Sequence, residues 1–294
     1  MVYIITAIYA EAHAFITRFH LKKDISYTRF QVFRNDEADL CLIISGTGSI
    51  PAAAAVSSIC TKYNAGQGDF LINAGICAQI GKESMCLADP ACQMGKIFLC
   101  NKIREQATGK TFYPDILYRH EFAEAQIVTG TNPYGKTARL QAPETDFYLY
   151  DMEAASVYQA GSYFFGPHQM GFLKIVSDNG NTENVTPSQA EHLIAENMES
   201  IADYMICMQD IIQKEQQKDP FQKEIPRKVT ERLCLDMHCS KAMSESVRQH
   251  ILYCILSNID YVSIIEKMYQ EGKLPCKDKR EGKQCFEELK ARLL

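Results

Sequence analysis

No stretch of the 294-residue chain approaches the roughly 18 consecutive apolar residues that a membrane-crossing helix needs. Met1–Ala10 has no basic start, and its apolar run is too short to serve as a signal sequence, so no secretory leader is expected. A basic excess is missing too: the formal net charge is −5, which argues against a nucleic-acid partner. No internal repeat or low-complexity tract is visible. The twelve cysteines lack the paired C-x-x-C spacing of a zinc site. In the last third they run Cys234-x4-Cys239, with His238 between, then Cys254 and Cys276-x8-Cys285. They read as reduced thiols of a cytoplasmic protein, with no metal and no cofactor expected.

What is present is the balance of a globular protein, 46% hydrophobic and 23% charged. At roughly 150 residues per domain, the length suits one large domain with an appendage. Charge divides along the chain. Residues 1–213 hold 15 Lys/Arg against 23 Asp/Glu, and residues 214–294 hold 16 against 13. The polar stretch 213–227 between them, ending in Ile-Pro-Arg, reads as a linker. The expected organisation is therefore a domain over 1–212, a linker over 213–227 and a helical, cysteine-containing extension over 228–294.

Within the first part, apolar runs with β-branched residues alternate with helical spacing. Strands are predicted at Val2–Ile8, Thr28–Arg34, Asp39–Ser45, Phe70–Asn73 (ended by Gly75), Lys96–Cys100, Gln126–Thr129 and Phe172–Ser177. Helices are predicted at Glu11–Phe19, Pro51–Tyr63, Met152–Phe164 and, as one long element, Ser188–Ile212. Such alternation implies an α/β domain with a parallel or mixed central sheet. In the extension, Val247–Leu256, Tyr261–Tyr269 and Cys285–Leu294 look helical.

Open α/β sheets bind ligands beyond the carboxyl ends of their strands. The residues there are Glu11, Gly46-Thr-Gly48, Asn73-Ala-Gly75 and Ser177-Asp178. Taken singly, each is ordinary turn or cap chemistry. Asp151-Met-Glu-Ala-Ala-Ser156 likewise reads as a helix start whose acids suit the helix dipole.

The ordered set is more specific. Ala7-Ile-Tyr-Ala-Glu11, Ser45-Gly-Thr-Gly48 with its Ala-rich helix, Asn73-Ala-Gly75, and Met152-Glu-Ala-Ala155 followed by Val176-Ser-Asp178 resemble the nucleoside phosphorylase superfamily over about residues 1–212. The resemblance is nearest to its methylthioadenosine/S-adenosylhomocysteine nucleosidases and extends to the purine nucleoside phosphorylases. It implies a three-layer α/β domain with a mixed central sheet, here followed by a helical C-terminal extension. It also implies cleavage of the N-glycosidic bond of a purine nucleoside in a homo-oligomer. By resemblance, Asp178 is the acid that protonates purine N7 and Ser177 assists it. Glu153 binds the ribose hydroxyls, Met152 packs on the sugar, and Glu11 positions and deprotonates water. Gly48 and Ile76 fall at the substrate-binding loops, and Tyr134 is the candidate base-stacking aromatic.

Two departures bear on the nucleophile. The phosphorylases carry an Arg-x-Gly-Ser segment here, whereas this chain has Asn73-Ala-Gly-Ile76. A phosphate dianion without a guanidinium is poorly held, which favours water. The nucleosidases carry a serine in this loop, which Gly75-Ile-Cys-Ala-Gln79 lacks. Hydrolysis is therefore the first reading. The alternatives are a phosphate-dependent phosphorylase that recruits Arg29 or Arg34 from a neighbouring subunit, and a catalytically altered nucleoside-binding module.

Overall fold

Strand residues of period two sort their side chains to opposite faces of one sheet. In β1 (Val2–Thr6), Val2 and Ile4 join one hydrophobic cluster and Tyr3 and Ile5 another. In β4 (Leu40–Ile44), Leu40 and Leu42 join the first, Cys41 and Ile43 the second. Both faces are therefore covered, and near-continuous apolar runs are what such strands require. The computed structural model describes residues 1–27, 29–66, 68–81, 94–134, 147–180, 185–218 and 224–293. They form two compact units, Met1–Ile212 and Gln213–Leu294.

The remaining strands of the first unit are β2 (Lys22–Lys23), β3 (Gln31–Asn35), β5 (Phe70–Gly81), β6 (Ile97–Glu105), β7 (Thr111–Phe112), β8 (Ala123–Thr129), β9 (Phe147–Asp151) and β10 (Met170–Asp178). Its helices are α1 (Tyr9–Arg18), α2 (Ser49–Lys62), α3 (Ala154–Gly161), α4 (Pro187–Glu196) and α5 (Met198–Lys218). Residues of α1, α4 and α5 cover one face of the sheet, and those of α2 and α3 the other. This is a three-layer α/β domain with a mixed sheet, the fold class read from the sequence.

The sheet runs β10-β6-β8-β9-β5-β1-β4-β3-β2, with β7 on β6, and a further β10–β5 pairing closes its first five strands on themselves. β5 makes that closure possible by serving two neighbours along one edge. Phe70–Asn73 pair in parallel with Val2–Ile5 of β1, and Ala78–Gly81 pair antiparallel with β9. Among the described residues, 74–77 have no strand partner on that edge. The split opens the sheet where β1 ends and α1 begins.

Several predicted boundaries move for physical reasons. The strand expected to end at Gly75 continues to Gly81, because Gly75 keeps extended pairing with Lys174 of β10. The long helix expected over Ser188–Ile212 is two helices. Asn197 interrupts it, and its amide donates to the carbonyls of Gly95 and Leu193 at 2.9 Å each. Phe147–Asp151 is a strand that the sequence reading did not anticipate, and the helix expected from Met152 starts at Ala154. Thr28, at the start of the predicted Thr28–Arg34 strand, lies outside the described residues.

The second unit packs α6 (Glu224–Asp236), α7 (Lys241–Leu256), α8 (Tyr261–Gln270) and α9 (Lys279–Leu293) around Leu233, Val247, Ile251, Ile265, Met268 and Phe286. Ser240 and Asp260 cap α7 and α8 by accepting from the amides of Met243 and Ser263. The 213–227 stretch is helical at both ends, since α5 reaches Lys218 and α6 starts at Glu224. The ten described cysteines are free thiols. Among the described residues, no helix is long and apolar enough to cross a membrane.

Candidate active site

The split edge of β5 exposes a backbone amide, and Glu11 answers it. Its Oε1 accepts from the Ile76 amide at 2.9 Å, and its Oε2 accepts from the amides of Ala7 and Ile8 at 2.8 and 3.2 Å. The latter two are the N-cap of α1 and the residue before it, so one carboxylate ties the entry to the helix to a strand edge. A Cβ on residue 75 would stand 2.6 Å from Glu11 Oε1, so any side chain there would displace the Glu11 carboxylate from these amides. Glu11 is 4% exposed. Burial raises its proton affinity above that of an ordinary glutamate, against the three amides and the nearby Lys174, which lower it.

Glu153 precedes α3, and its Oε1 accepts from the Gly48 amide at 2.7 Å. Gly48 has φ +103°, a conformation open to glycine, and α2 starts directly after it. Burial first, and then the charge of Asp151, push the Glu153 carboxyl up to about 7. The folded state thus favours the protonated form. The stability this group confers is complete below about pH 4.5 and is lost as pH rises through about 7. Glu153→Gln is accordingly expected to raise the Tm by a few degrees at pH 8, with the gain fading toward pH 4.5. Thermal melts across that range check the sign; a gain independent of pH would contradict it.

Asp178 ends β10. The Ser177 hydroxyl donates to its Oδ2 and the Gly180 amide to its Oδ1, both at 2.8 Å. The register against β5 shifts between Val176 and Asp178, and this irregularity lets the consecutive residues Ser177 and Asp178 line one cavity. Tyr134 meets Tyr150 edge-on, with centroids 5.2 Å apart. It also lies against Gly180, where a Cβ would be 2.5 Å from its ring.

A cavity of about 280 Å³ joins these groups. Glu11, Ile76, Tyr134, Met152, Glu153, Ser177 and Asp178 all line it; Gly48 does not, though its amide donates to Glu153. Seven of the eight site residues named from the sequence thus line one cavity. Its walls hold four carboxylates, those of Glu11, Asp151, Glu153 and Asp178, and among the described residues no Lys, Arg or His. Sequence reasoning missed the pair beneath. Lys174 Nζ lies 2.8 Å from Asp151 Oδ2, with side chains 2% and 1% exposed. The signal was a lysine inside Phe172-Leu-Lys-Ile-Val176, since a lysine in a strand buried on both faces needs a partner.

No protein-family model and no curated protein matches the sequence. Solved structures do match in fold. A 5′-methylthioadenosine/S-adenosylhomocysteine nucleosidase of Colwellia psychrerythraea, in complex with adenine, aligns over 70% of this chain and 94% of its own, with TM-score 0.54 and 18% identity. The corresponding nucleosidase of Neisseria meningitidis, in complex with methylthio-immucillin-A, aligns over 73% and 98%, with TM-score 0.50 and 19% identity. The futalosine hydrolase of Helicobacter pylori, in a mutant form, aligns over 69% and 98%, with TM-score 0.52 and 13% identity. Over about 70% of its length the chain thus shares the fold of these solved enzymes.

Proposed function

We propose that the chain hydrolyses the N-glycosidic bond of a purine nucleoside in the cavity of its first unit. The observation that carries this reading is the wall of four carboxylates with no cation among its described residues. Departure of a purine builds positive charge on the ribose ring, and fixed negative groups stabilise it. The described wall offers a phosphate dianion no guanidinium or ammonium, which speaks for water over phosphorolysis. Arg34, a candidate for phosphate binding from a neighbouring copy, is held at 2.6 Å by Asp36 and stacks over Tyr63.

Each side chain then has a task. Asp178 delivers a proton to N7 as the C1′–N9 bond breaks, and Ser177 orients its carboxyl. Glu153 accepts from the ribose cis-diol, Met152 packs on the sugar, and Tyr134 stacks on the base. Three amides occupy three of the roughly four lone-pair sites of Glu11, leaving one for water. Glu11 takes that water's proton while its oxygen bonds to C1′, so the products are free base and free pentose. The raised proton affinity of Glu11 suits a general base working near neutral pH.

The test is a panel of purine nucleosides incubated with the full chain, with and without phosphate. Base release should continue without phosphate, and the sugar should appear as free pentose. Strict dependence on phosphate, with pentose 1-phosphate as product, would give the reaction to a phosphorylase; tight binding without turnover would make the chain a nucleoside-binding module. Because every lining residue precedes residue 212, a chain ending at Lys218 is expected to keep the turnover of the full chain. Loss of turnover in that soluble, folded chain would assign the second unit a part in the site.

A further inference from the structure

Among the described residues, one cation lies in the core of this acidic site, and the proposed reaction gives it no task. Lys174 stands in mid-β10, a strand buried at all nine positions. Its ammonium meets Asp151 of β9, whose carboxylate accepts from two further groups. The Thr129 hydroxyl donates to Oδ1 at 2.7 Å and the Ala154 amide to Oδ2 at 2.9 Å. Thr129 Oγ1 in turn accepts from the Ala155 amide at 3.0 Å. Asp151 and Thr129 therefore tie down the first turn of α3, and Glu153 is the residue that opens this turn.

The surroundings of Lys174 are one-sided. Besides Asp151 they comprise Glu153 before α3, Glu11 from α1, the thiols Cys77 of β5 and Cys100 of β6, and Asp178 farther along its own strand. A buried ion pair replaced by apolar residues often leaves a protein as stable as before. Stability alone is thus a weak reason for a lysine in this strand. Attraction from its charge opposes the proton uptake that burial favours at both Glu11 and Glu153.

We propose that Lys174 is the positioning residue of this site, fixing Glu153 through Asp151 and supplying, alone among the described residues, a buried positive charge that Glu11 and Glu153 share. The proposal rests on the roles given above to Glu11 and Glu153, and it assigns Lys174 no contact with substrate. Its sign is what makes it testable. Removing the ammonium leaves carboxylates facing one another, so they hold protons to higher pH. Removing the charge of Asp151 instead frees Lys174 to act on Glu11 and Glu153, so they release protons at lower pH.

The experiment compares Lys174→Met, Lys174→Arg and Asp151→Asn in the full chain by two readouts. One is the pH profile of nucleoside hydrolysis; the other is the carboxyl titration of Glu11 and Glu153 by NMR on ¹³C-labelled glutamate. Lys174→Met should move the acid limb of the profile and both titration midpoints upward by about one pH unit, a tenfold change in proton affinity. Lys174→Arg should leave both near the wild-type positions. Asp151→Asn should move the Glu153 midpoint downward, and this arm decides the matter if Lys174→Met does not fold. Midpoints that stay put in the folded variants, or that move the same way for Lys174→Met and Asp151→Asn, would overturn the proposal. So would a loss of rate equal at every pH. If the wild-type chain hydrolyses no nucleoside, the functional reading fails, and the titrations still test the charge role.

Discussion

Asp178→Asn lowers turnover of the best nucleoside substrate by about 10²–10⁴-fold, the usual worth of a positioned general acid. The amide keeps the volume of the carboxyl group and can still accept from the Ser177 hydroxyl or the Gly180 amide. Folding should therefore survive, and the Tm should stay within a few degrees of wild type. What the amide cannot do is deliver a carboxylic proton to N7. Steady-state kinetics should show the loss mainly in kcat, because the base and ribose contacts of the ground state remain. A substrate whose base leaves readily without protonation should lose far less, which separates failed acid catalysis from a damaged pocket. Near-normal turnover of an ordinary purine nucleoside by Asp178→Asn would remove Asp178 from the mechanism.

The sequence disclosed most where local rules and tertiary packing agree. Val2-Tyr-Ile-Ile5 and Leu40-Cys-Leu-Ile43 are apolar at every position because each strand is covered on both faces, so both were legible as buried strands. Asp178 closes another such strand, a place where an open α/β sheet presents ligand-binding residues, but only the resemblance of the ordered motifs singled it out from ordinary turn chemistry. Elsewhere the deciding contact lies far along the chain. Nothing local to Asn197 announces a helix break; its amide reaches Gly95, about a hundred residues earlier. Gly75 reads as a strand terminator, yet the space a side chain would occupy there belongs to Glu11. Asp151 reads as a helix-start acid, which it is in part, since Ala154 donates to it. Its pairing with Lys174 is set by the closure of the sheet and has no trace in spacing along the chain.

Glu11→Gln carries the other large effect, and here chemistry and structure fail together. The carboxylate accepts on both oxygens, from Ala7 and Ile8 on one and Ile76 on the other. A glutamine has one accepting oxygen and one donating NH₂. Whichever way its amide turns, donor faces donor on one side. If the NH₂ faces the strand, the Ile76 amide is stranded in the core; if it faces the helix, the Ala7 and Ile8 amides are. A buried donor left unsatisfied costs about 1–3 kcal/mol, so a Tm lower by several degrees is expected. Hydrolysis should fall by about 10²-fold or more, because an amide cannot take a proton from water at neutral pH. Glu11→Asp separates the two effects, since it keeps the charge while retracting it by one methylene. It should retain measurable hydrolysis with a pH-dependent acid limb, which Glu11→Gln loses. Melting curves and pH–rate profiles of the two variants check both halves. A Glu11→Gln chain that hydrolyses at the wild-type rate would leave Glu11 a cap for α1 and the edge of β5, and nothing more.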